Sequence, residues 1–387
     1  MKLARSIRPL FLSFLAAGAV LVGAGGALLG DCGPFTDVTD AAFCPFVLEL
    51  FTLGITTGTS ATTFDPTANV TRLQMAAFLS RTVDGVLLRG SQRAALRRFW
   101  TTQGPANLGV TTVGFNPFGV DFDGLDIWVV SGLGLTRVRA SDGKILDTWT
   151  GGTSGGAVMC AMGKAFETGI TSPGQLYRAD PSLPAGAVTT VASNLGNQPV
   201  GLAFDGGRIW TANQLGSVSI VTPQAAIPWT VTSFNVSAGT SNPVGILYDG
   251  ANVWVTDYAQ GTLLKLDAAG AVLQTVTVGT HPGYPVFDGT SVWVPNIGSN
   301  SVSVVRASSG AILATLSGNG LNLPNSGAFD GQRLLVTNAG GNSVSVWKAA
   351  DLSSLGNFAV GANPSEACSD GINFWITLNG ASAVVRF

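Results

Sequence analysis

One histidine, four cysteines and a repeated aspartate carry most of the chemistry available to this 387-residue chain. His281 is the only histidine, so any mechanism with an imidazole general base depends on it. It stands before a proline in a repeated pattern, where other copies carry an amide side chain, at Asn116, Gln198, Asn242 and Asn363. A position that accepts Asn, Gln or His is typical of a loop hydrogen-bonder. We therefore predict a structural role for His281, with a general base as the alternative.

The repeated aspartates lie in six near-copies of Phe-Asp-Gly, at Asp123, Asp205, Asp249, Asp288, Asp330 and Asp370. The steps between them are 82, 44, 39, 42 and 40 residues, and the long first step holds a degenerate seventh copy at Met162-Gly163. Asp-Gly between alternating apolar runs predicts a tight hairpin turn whose carboxylate accepts local backbone N–H groups. Turn chemistry is thus predicted rather than a calcium or acid–base site, and no metal or cofactor is expected.

Each unit contains four short, alternating apolar runs, and five units carry a tryptophan at one equivalent position, namely Trp128, Trp210, Trp254, Trp293 and Trp375. Four antiparallel strands in about forty residues, repeated seven times, match a β-propeller blade, with the large rings filling the space between blades. The last unit stops after its third run, at 383–387, while 109–114 supplies an unmatched fourth run. We predict an all-β, seven-bladed propeller over residues 107–387, closed by pairing these two ends.

Composition and the first residues indicate export. With 46% hydrophobic residues, 11% charged residues and a net charge of −2, the chain lacks the basic field that nucleic-acid binding requires. Residues 1–30 begin with three basic residues and continue as an uncharged run, which is the layout of a secretory signal, with an uncleaved anchor as the alternative. In an exported segment, Cys32 and Cys44 are predicted to form a disulfide. Cys160 and Cys368 fall in non-adjacent units and are predicted to be buried, unpaired thiols.

Residues 31–84 are predicted to form a separate, small helical unit. Apolar residues from Phe43 to Leu50 have helical spacing, and Gly54 ends that helix; Thr71-Arg72-Leu73-Gln74 reads as a capping box that opens a second helix. The segments Phe35-Thr36-Asp37-Val38, Leu53-Gly54-Ile55, Phe64-Asp65-Pro66 and 70–79 resemble, in order and spacing, an S-layer homology module. Residues 85–106, which include Arg89, Arg93, Arg97 and Arg98, are predicted to be a basic helical linker.

This resemblance implies non-covalent attachment to envelope polysaccharide, with Thr71 and Arg72 matching the family's Thr-Arg motif. A guanidinium suits carboxylate-bearing or pyruvylated sugars because it forms paired hydrogen bonds. Such modules usually act in threes and this chain has one, so an oligomer is one way to multiply the contact. The expected location is the cell envelope, either periplasmic or at the cell surface.

The propeller units resemble the YVTN type of repeat, as in Leu335-Val336-Thr337-Asn338, and that resemblance implies a fold more than a function. Polar loops after the second strands share one face with the loops that enter each unit, and the candidate ligand-face residues there are Asn213, Asp257, Tyr258, His281, Tyr284, Asn296 and Asn338. We predict an exported, envelope-associated protein whose propeller binds a protein or glycan without catalysis. The alternative is an enzyme, a lyase or hydrolase of the streptogramin-lyase or lactonase type, that uses the loop face around His281.

Overall fold

The computed structural model describes residues 32, 34–40, 43–52, 56–79, 109–153, 155–237 and 240–387. They fall into two units, one within Met1–Trp100 and one within Thr101–Phe387. The predicted signal at 1–30 and the predicted basic linker at 85–106 lie outside the described residues. Within the described ranges, no helix is both long enough and apolar enough to cross a bilayer.

The larger unit is a ring of seven four-stranded antiparallel sheets, which confirms the predicted seven-bladed propeller. In blades 1 to 6, the four strands are hydrogen-bonded neighbours in sequence order, from the inner to the outer edge. Blades 1 to 3 comprise β2 Val120–Phe122, β3 Asp126–Ser131, β4 Gly134–Arg139, β5 Ile145–Trp149; β6 Gly155–Ala161, β7 Lys164–Gly169, β8 Gly174–Ala179, β9 Thr189–Leu195; β10 Pro199–Phe204, β11 Ile209–Asn213, β12 Ser217–Thr222, β13 Thr230–Asn235.

Blades 4 to 6 repeat this order. They comprise β14 Pro243–Tyr248, β15 Val253–Asp257, β16 Thr262–Leu266, β17 Val272–Thr277; β18 Val286–Phe287, β19 Ser291–Asn296, β20 Ser301–Arg306, β21 Ile312–Ser317; β22 Pro324–Phe329, β23 Arg333–Asn338, β24 Ser343–Lys348, β25 Ser354–Ala359. Blade 7 consists of β26 Pro364–Ser369, β27 Phe374–Leu378 and β28 Ala383–Arg386, with β1 Gly109–Thr112 as its outer strand.

Blade 7 closes the ring as predicted, since its outer strand comes from the other end of the propeller. Gly109 pairs with Arg386 and Thr112 with Ala383 in one antiparallel register. A second closure lies at the inner edge, where the Thr377 hydroxyl accepts the Glu366 N–H at 3.0 Å and donates to the Phe118 carbonyl of blade 1 at 2.7 Å. Buried threonine hydroxyls of blades 4 and 6 bridge to the following blade in the same way. The ring is therefore held by strand pairing outside and hydroxyl bridges inside.

The repeated aspartate accepts the turn N–H groups, as predicted, and also holds the tryptophan. In blade 5, Asp288 Oδ1 accepts the N–H groups of Thr290 and Ser291 at 2.8 and 2.6 Å, while Oδ2 accepts Trp293 Nε1–H at 2.7 Å. The same Asp–indole bond occurs in blades 1, 3, 4 and 7 at 2.7–2.8 Å. All five indoles are at most 1% exposed. Each carboxylate thus ties a hairpin turn to the core between blades.

The smaller unit contains two short helices, α1 Cys44–Thr52 and α2 over 72–79. Cys32 and Cys44 form a disulfide with Cα atoms 5.4 Å apart, and Phe35, Val38 and Val47 pack beside Cys32 in a buried cluster. The loop between the helices is held by the Asp37 carboxylate, which accepts the N–H groups of Phe64 and Asp65 at 2.7–3.1 Å. Those bonds lower the pKa of Asp37. A small apolar core and one carboxylate therefore position the start of α2.

Candidate functional site

The Thr-Arg pair stands at the start of α2, and the two side chains have different environments. Thr71 Oγ1 accepts the Gln74 N–H at 3.2 Å, and Gln74 Oε1 accepts the Thr71 N–H at 2.8 Å, so the predicted capping box is confirmed. The Thr71 hydroxyl also donates to Gln74 Oε1 at 2.9 Å. The Arg72 side chain is exposed. Thr71 therefore fixes the helix start, whereas Arg72 is exposed to solvent.

Four of the seven candidate ligand-face side chains have no exposed surface, namely Asn213, Asp257, Asn296 and Asn338. Each asparagine donates to two serine hydroxyls of the following strand, as Asn296 does to Ser301 and Ser303 at 3.1 and 3.0 Å. Asp257 accepts two serine hydroxyls and three backbone N–H groups. Because these groups are buried and hydrogen-bonded, they brace the loops and do not face a ligand, which departs from the predicted role.

Tyr258 and His281 do meet at the loop face. Their rings stack at a centroid distance of 4.4 Å with an interplanar angle of 11°, and the His281 side chain is exposed. His281 has a φ of +52°, a left-handed conformation that Asn116, Gln198 and Asn363 share at the equivalent positions. Asn and His tolerate this region better than most residues. His281 therefore shares its backbone conformation with three of the four amide residues at this repeat position, Asn242 being the exception, which favours a structural role for it.

For His281→Asn we expect a folded propeller that loses at most about 1 kcal/mol, mainly the ring stacking on Tyr258. His281→Ala is the matched contrast, because Ala at positive φ adds roughly 1–2 kcal/mol of strain. Urea denaturation followed by tryptophan fluorescence compares the two. If wild-type protein turned over lactone, lyase or glycan substrates and His281→Asn abolished that turnover, the structural interpretation of His281 would be wrong.

Tyr284 lies at the mouth of the central channel and is partly exposed. Its ring packs edge-on against Phe118 at 5.7 Å, and Phe118 lines a pocket of about 270 Å³ with Leu323, Asn325 and Asn363. Tyr284 lines a second cavity of about 220 Å³ at the ring centre. Burial and the neighbouring Glu366 raise the pKa of Tyr284 well above its usual value. Tyr284 therefore connects the loop face to the interior of the ring.

The central cavity contains two carboxyl groups that sequence reasoning did not single out. Glu366 and Asp121 come from the inner strands of blades 7 and 1. Glu366 Oε1 is inaccessible and has no hydrogen-bond partner, whereas Asp121 Oδ2 accepts the Cys160 N–H at 2.7 Å. Desolvation raises the pKa of Glu366 to about 8 and that of Asp121 to about 6. Near neutral pH, each carboxyl is therefore a mixture of its protonated and ionised forms.

Cys160 and Cys368 flank Asp121 from the two neighbouring blades, and both are free thiols. Both residues are partly exposed, so the expectation of full burial is modified, while the unpaired state is as predicted. Burial and the adjacent carboxylates raise the pKa of each thiol. Since the thiolate is the reactive form, neither cysteine is an activated nucleophile. Across the described residues, no three His, Cys, Asp or Glu side chains are grouped so that they could hold a metal ion.

A third unexpected carboxyl, Glu167, lies in β7 of blade 2. It is 1% exposed and its Oε2 has no hydrogen-bond partner. Gly152 and Gly155 approach it so closely that a Cβ atom on either would fall within 3 Å of Glu167 Oε1. Desolvation raises the pKa of Glu167 to about 7. A carboxyl is thus packed against glycines at a position where the other blades carry Val, Ile or Thr, as at Val255 and Thr211.

Comparisons with known proteins agree with both units. Residues 34–76 match the S-layer homology domain. No curated protein matches the chain. These findings identify an S-layer homology domain followed by a propeller.

The solved structures similar to this chain are propellers. A catalytically inactive variant of virginiamycin B lyase from Staphylococcus aureus, solved with quinupristin, superposes with a TM-score of 0.61 and 16% identity over 72% of this chain and 99% of that chain. A streptogramin B lyase gives 0.59 and 15% identity, covering 74% and 99%. The WD40 propeller of Doa1 gives 0.58 and 13%, covering 72% and 95%. Identities this low show a shared fold alone.

Proposed function

We propose that this is an exported envelope protein in which the S-layer homology domain attaches the chain to envelope polysaccharide through Arg72, while the propeller binds a partner without catalysis. The observation that carries the proposal is the family match at residues 34–76. Domains of this family generally bind envelope polysaccharide, and the match indicates a cell-envelope or surface association. Export is supported by the layout of residues 1–30 and by the disulfide between Cys32 and Cys44.

The geometry at the start of α2 supports the role of Arg72. The capping box occupies the Thr71 hydroxyl, so Thr71 holds the backbone from which Arg72 projects. An exposed guanidinium presents five donors in a rigid fork that matches a carboxylate, and hydrogen bonds to charged groups contribute about 1.5–3 kcal/mol. Loss of such a contact would weaken binding roughly tenfold to a hundredfold.

The propeller half of the proposal is supported by the chemistry of its groups. His281 is explained by its backbone conformation, and the four buried loop side chains are engaged in structural hydrogen bonds. The free thiols have raised pKa values, which keeps them in the unreactive form. What remains accessible is a stacked Tyr258–His281 pair and the pocket at the channel mouth, which are features of a binding surface.

For Arg72→Ala in the full chain, we expect retention on isolated cell-wall fragments to fall at least tenfold, because the charged contact to the polymer is lost. Co-sedimentation with fragments before and after removal of their anionic polysaccharide measures this. Arg306→Ala is the matched control, since it removes an exposed arginine of the propeller. Thr71→Ser keeps the cap hydroxyl and should bind like wild type. Equal retention of Arg72→Ala and Arg306→Ala would contradict the role of Arg72.

A further inference from the structure

One position of the loop face breaks the repeat in a way that the fold does not explain. Leu323 precedes the recurring proline in blade 6, where the other blades that have this proline carry Asn, Gln or His. Leu323 has a φ of +50°, a left-handed conformation that is unfavourable for a bulky side chain, and it is 44% exposed. An apolar side chain is therefore kept where both its backbone and its exposure disfavour one.

Backbone hydrogen bonds hold the loop at Leu323 without help from its side chain. The Leu323 N–H donates to Asn300 Oδ1 at 2.7 Å, and its carbonyl accepts the Ala339 N–H at 3.1 Å. Asn363 makes the equivalent two backbone bonds in blade 7 with an amide side chain. Leu352 also has a positive φ, but it packs against a buried cluster of blades 5 and 6. Strain at Leu323 thus has no counterpart in core packing, and such strain points to a function for the side chain.

Leu323 lines the pocket of about 270 Å³ at the channel mouth, and the accessible wall of that pocket is mostly apolar. Phe118, Ile297, Ala339 and Pro364 supply the rest of the apolar wall, and the other lining residues are three asparagines and a serine. Among the described residues that line this pocket, none is Lys, Arg, His, Asp or Glu. The pocket therefore favours a ligand group that is neutral and largely apolar.

The size of the pocket and its aromatic wall favour an aromatic ring. A cavity of about 150 Å³ lined by Leu, Ile and Phe is enough to bind benzene, so about 270 Å³ has room for a ring with a substituent. Phe118 already packs edge-on against Tyr284 at 5.7 Å, and a further ring beside Phe118 gains the same kind of aromatic contact. The Asn363 side chain is exposed, and its amide can donate to or accept from one polar substituent.

We propose that the pocket at the channel mouth binds a neutral aromatic ring with one hydrogen-bonding substituent, and that Leu323 and Phe118 pack against the ring. The inference rests on the proposed function, in which the propeller is a binding module, and it gives the chemical class that this module recognises. A phenol ring can come from a free small molecule or from a tyrosine side chain of a peptide, and both sources offer the same ring and hydroxyl. The envelope half of the proposed function is separate, because it depends on Arg72.

Calorimetric titration of the full chain with p-cresol at pH 7 tests the pocket. We expect saturable binding of p-cresol, which is neutral because a phenol has an ordinary pKa near 10. The saturated analogue 4-methylcyclohexanol should bind about threefold more weakly, because it lacks the aromatic contact. Methyl glucoside should bind at least tenfold more weakly, because an apolar wall leaves its hydroxyls unpaired. N-acetyltyrosinamide separates the two sources: tighter binding than p-cresol assigns the pocket to a peptide side chain, and equal or weaker binding assigns it to a free ligand.

Leu323→Asn introduces the residue that Asn363 has at the equivalent position. We expect its affinity for p-cresol to fall at least fivefold, while its urea midpoint of unfolding rises, because Asn tolerates the left-handed conformation better than Leu does. A purely structural leucine would give a lower midpoint instead. Leu215→Asn is the matched control, since it replaces a leucine that is 60% exposed and does not line the pocket, and it should bind p-cresol like wild type.

Near-UV circular dichroism checks that both variants are folded, and the series of analogues on wild type decides if Leu323→Asn fails to fold. Absence of saturable p-cresol binding, equal binding of 4-methylcyclohexanol, or unchanged affinity in folded Leu323→Asn would overturn the proposal. None of these results alters the retention on cell-wall fragments that depends on Arg72. Failure of the pocket and failure of envelope attachment are therefore distinguishable.

Discussion

Asp288→Ala is expected to lower the free energy of unfolding of the propeller by about 3–5 kcal/mol, because it removes the two oxygens that accept three hydrogen bonds. Trp293 Nε1–H lies in the core between blades, and Ser291 is 5% exposed, so both donors are left without water or a protein partner. Each unsatisfied buried donor contributes about 1–3 kcal/mol, whereas the Thr290 N–H is in an exposed turn and can bond to solvent. Urea denaturation monitored by near-UV circular dichroism measures the loss.

Asp142→Ala provides the matched control, because Asp142 also precedes a glycine in a hairpin turn. Its carboxylate is exposed and accepts the Lys144 N–H at 3.0 Å and an Arg139 N–H at 3.0 Å. Both donors reach water when the acceptor is removed, so the urea concentration at the midpoint of unfolding should change little. A similar midpoint shift in Asp142→Ala and Asp288→Ala would show that the turn alone matters and that the indole bond contributes nothing.

Trp293→Leu separates the contribution of the indole bond from that of the turn hydrogen bonds. Blade 6 already has leucine at this position. There Leu335 stands at the tryptophan position, and Asp330 Oδ2 accepts Arg333 Nε–H at 2.7 Å instead. In the Trp293→Leu background, Asp288→Ala should be less damaging than in wild type, since no indole donor is then left unpaired. A double-mutant cycle gives this coupling, and zero coupling would contradict the indole bond.

Sequence reasoning captured the features that recur in every blade. Seven hairpin signals and two incomplete ends were enough to predict the blade number and the pairing of Gly109 with the last strand, because these signals are local and repeated. The aspartates were correctly interpreted as acceptors of turn N–H groups. The Asp–indole bond was missed, although a tryptophan five residues after the aspartate in five units was a visible signal.

The loop asparagines illustrate why polarity alone is a poor guide to a ligand face. Asn213, Asn296 and Asn338 were placed at the loop face because polar residues after a strand are usually exposed. They are buried because the next strand presents two serines to each of them, such as Ser217 and Ser219 to Asn213. The recurrence of Asn followed by Ser-x-Ser could have indicated this internal pairing.

The two carboxyl groups of the central cavity could not be inferred from local patterns, because they meet only when the ring closes. Asp121 and Glu366 belong to the first and last blades and are far apart in the sequence. Alignment of the units offers a different signal: Asp121 is the only acidic residue at its repeat position, where other units carry Ala203, Leu247 or Val286. A residue that breaks the repeat is a better candidate for function than one that keeps it.

Glu167 breaks the repeat in the same way, and its ionisation should make stability depend on pH. Its pKa in the folded state is about 7, raised by desolvation from an ordinary value of 4.5. Since the folded state holds its proton more tightly than the unfolded state, the contribution of Glu167 to stability is complete below about pH 4.5 and is lost as pH rises through 7. At 1% exposure, the shift corresponds to on the order of 3 kcal/mol between pH 5 and pH 8.

Glu167→Gln should therefore be more stable than wild type at pH 8 by about 2–3 kcal/mol, and near wild type at pH 5, because the amide keeps the shape and cannot ionise. Melting curves of the full chain from pH 5 to pH 9 measure the difference. Glu366→Gln is the contrast: its advantage should also begin above about pH 4.5 but should keep growing up to about pH 8, because the pKa of Glu366 is raised further, to about 8. Wild type and Glu167→Gln could instead lose stability equally steeply between pH 5 and pH 8. That result would mean that Glu167 Oε2 has a hydrogen-bond partner in solution, and it would contradict the predicted role of Glu167.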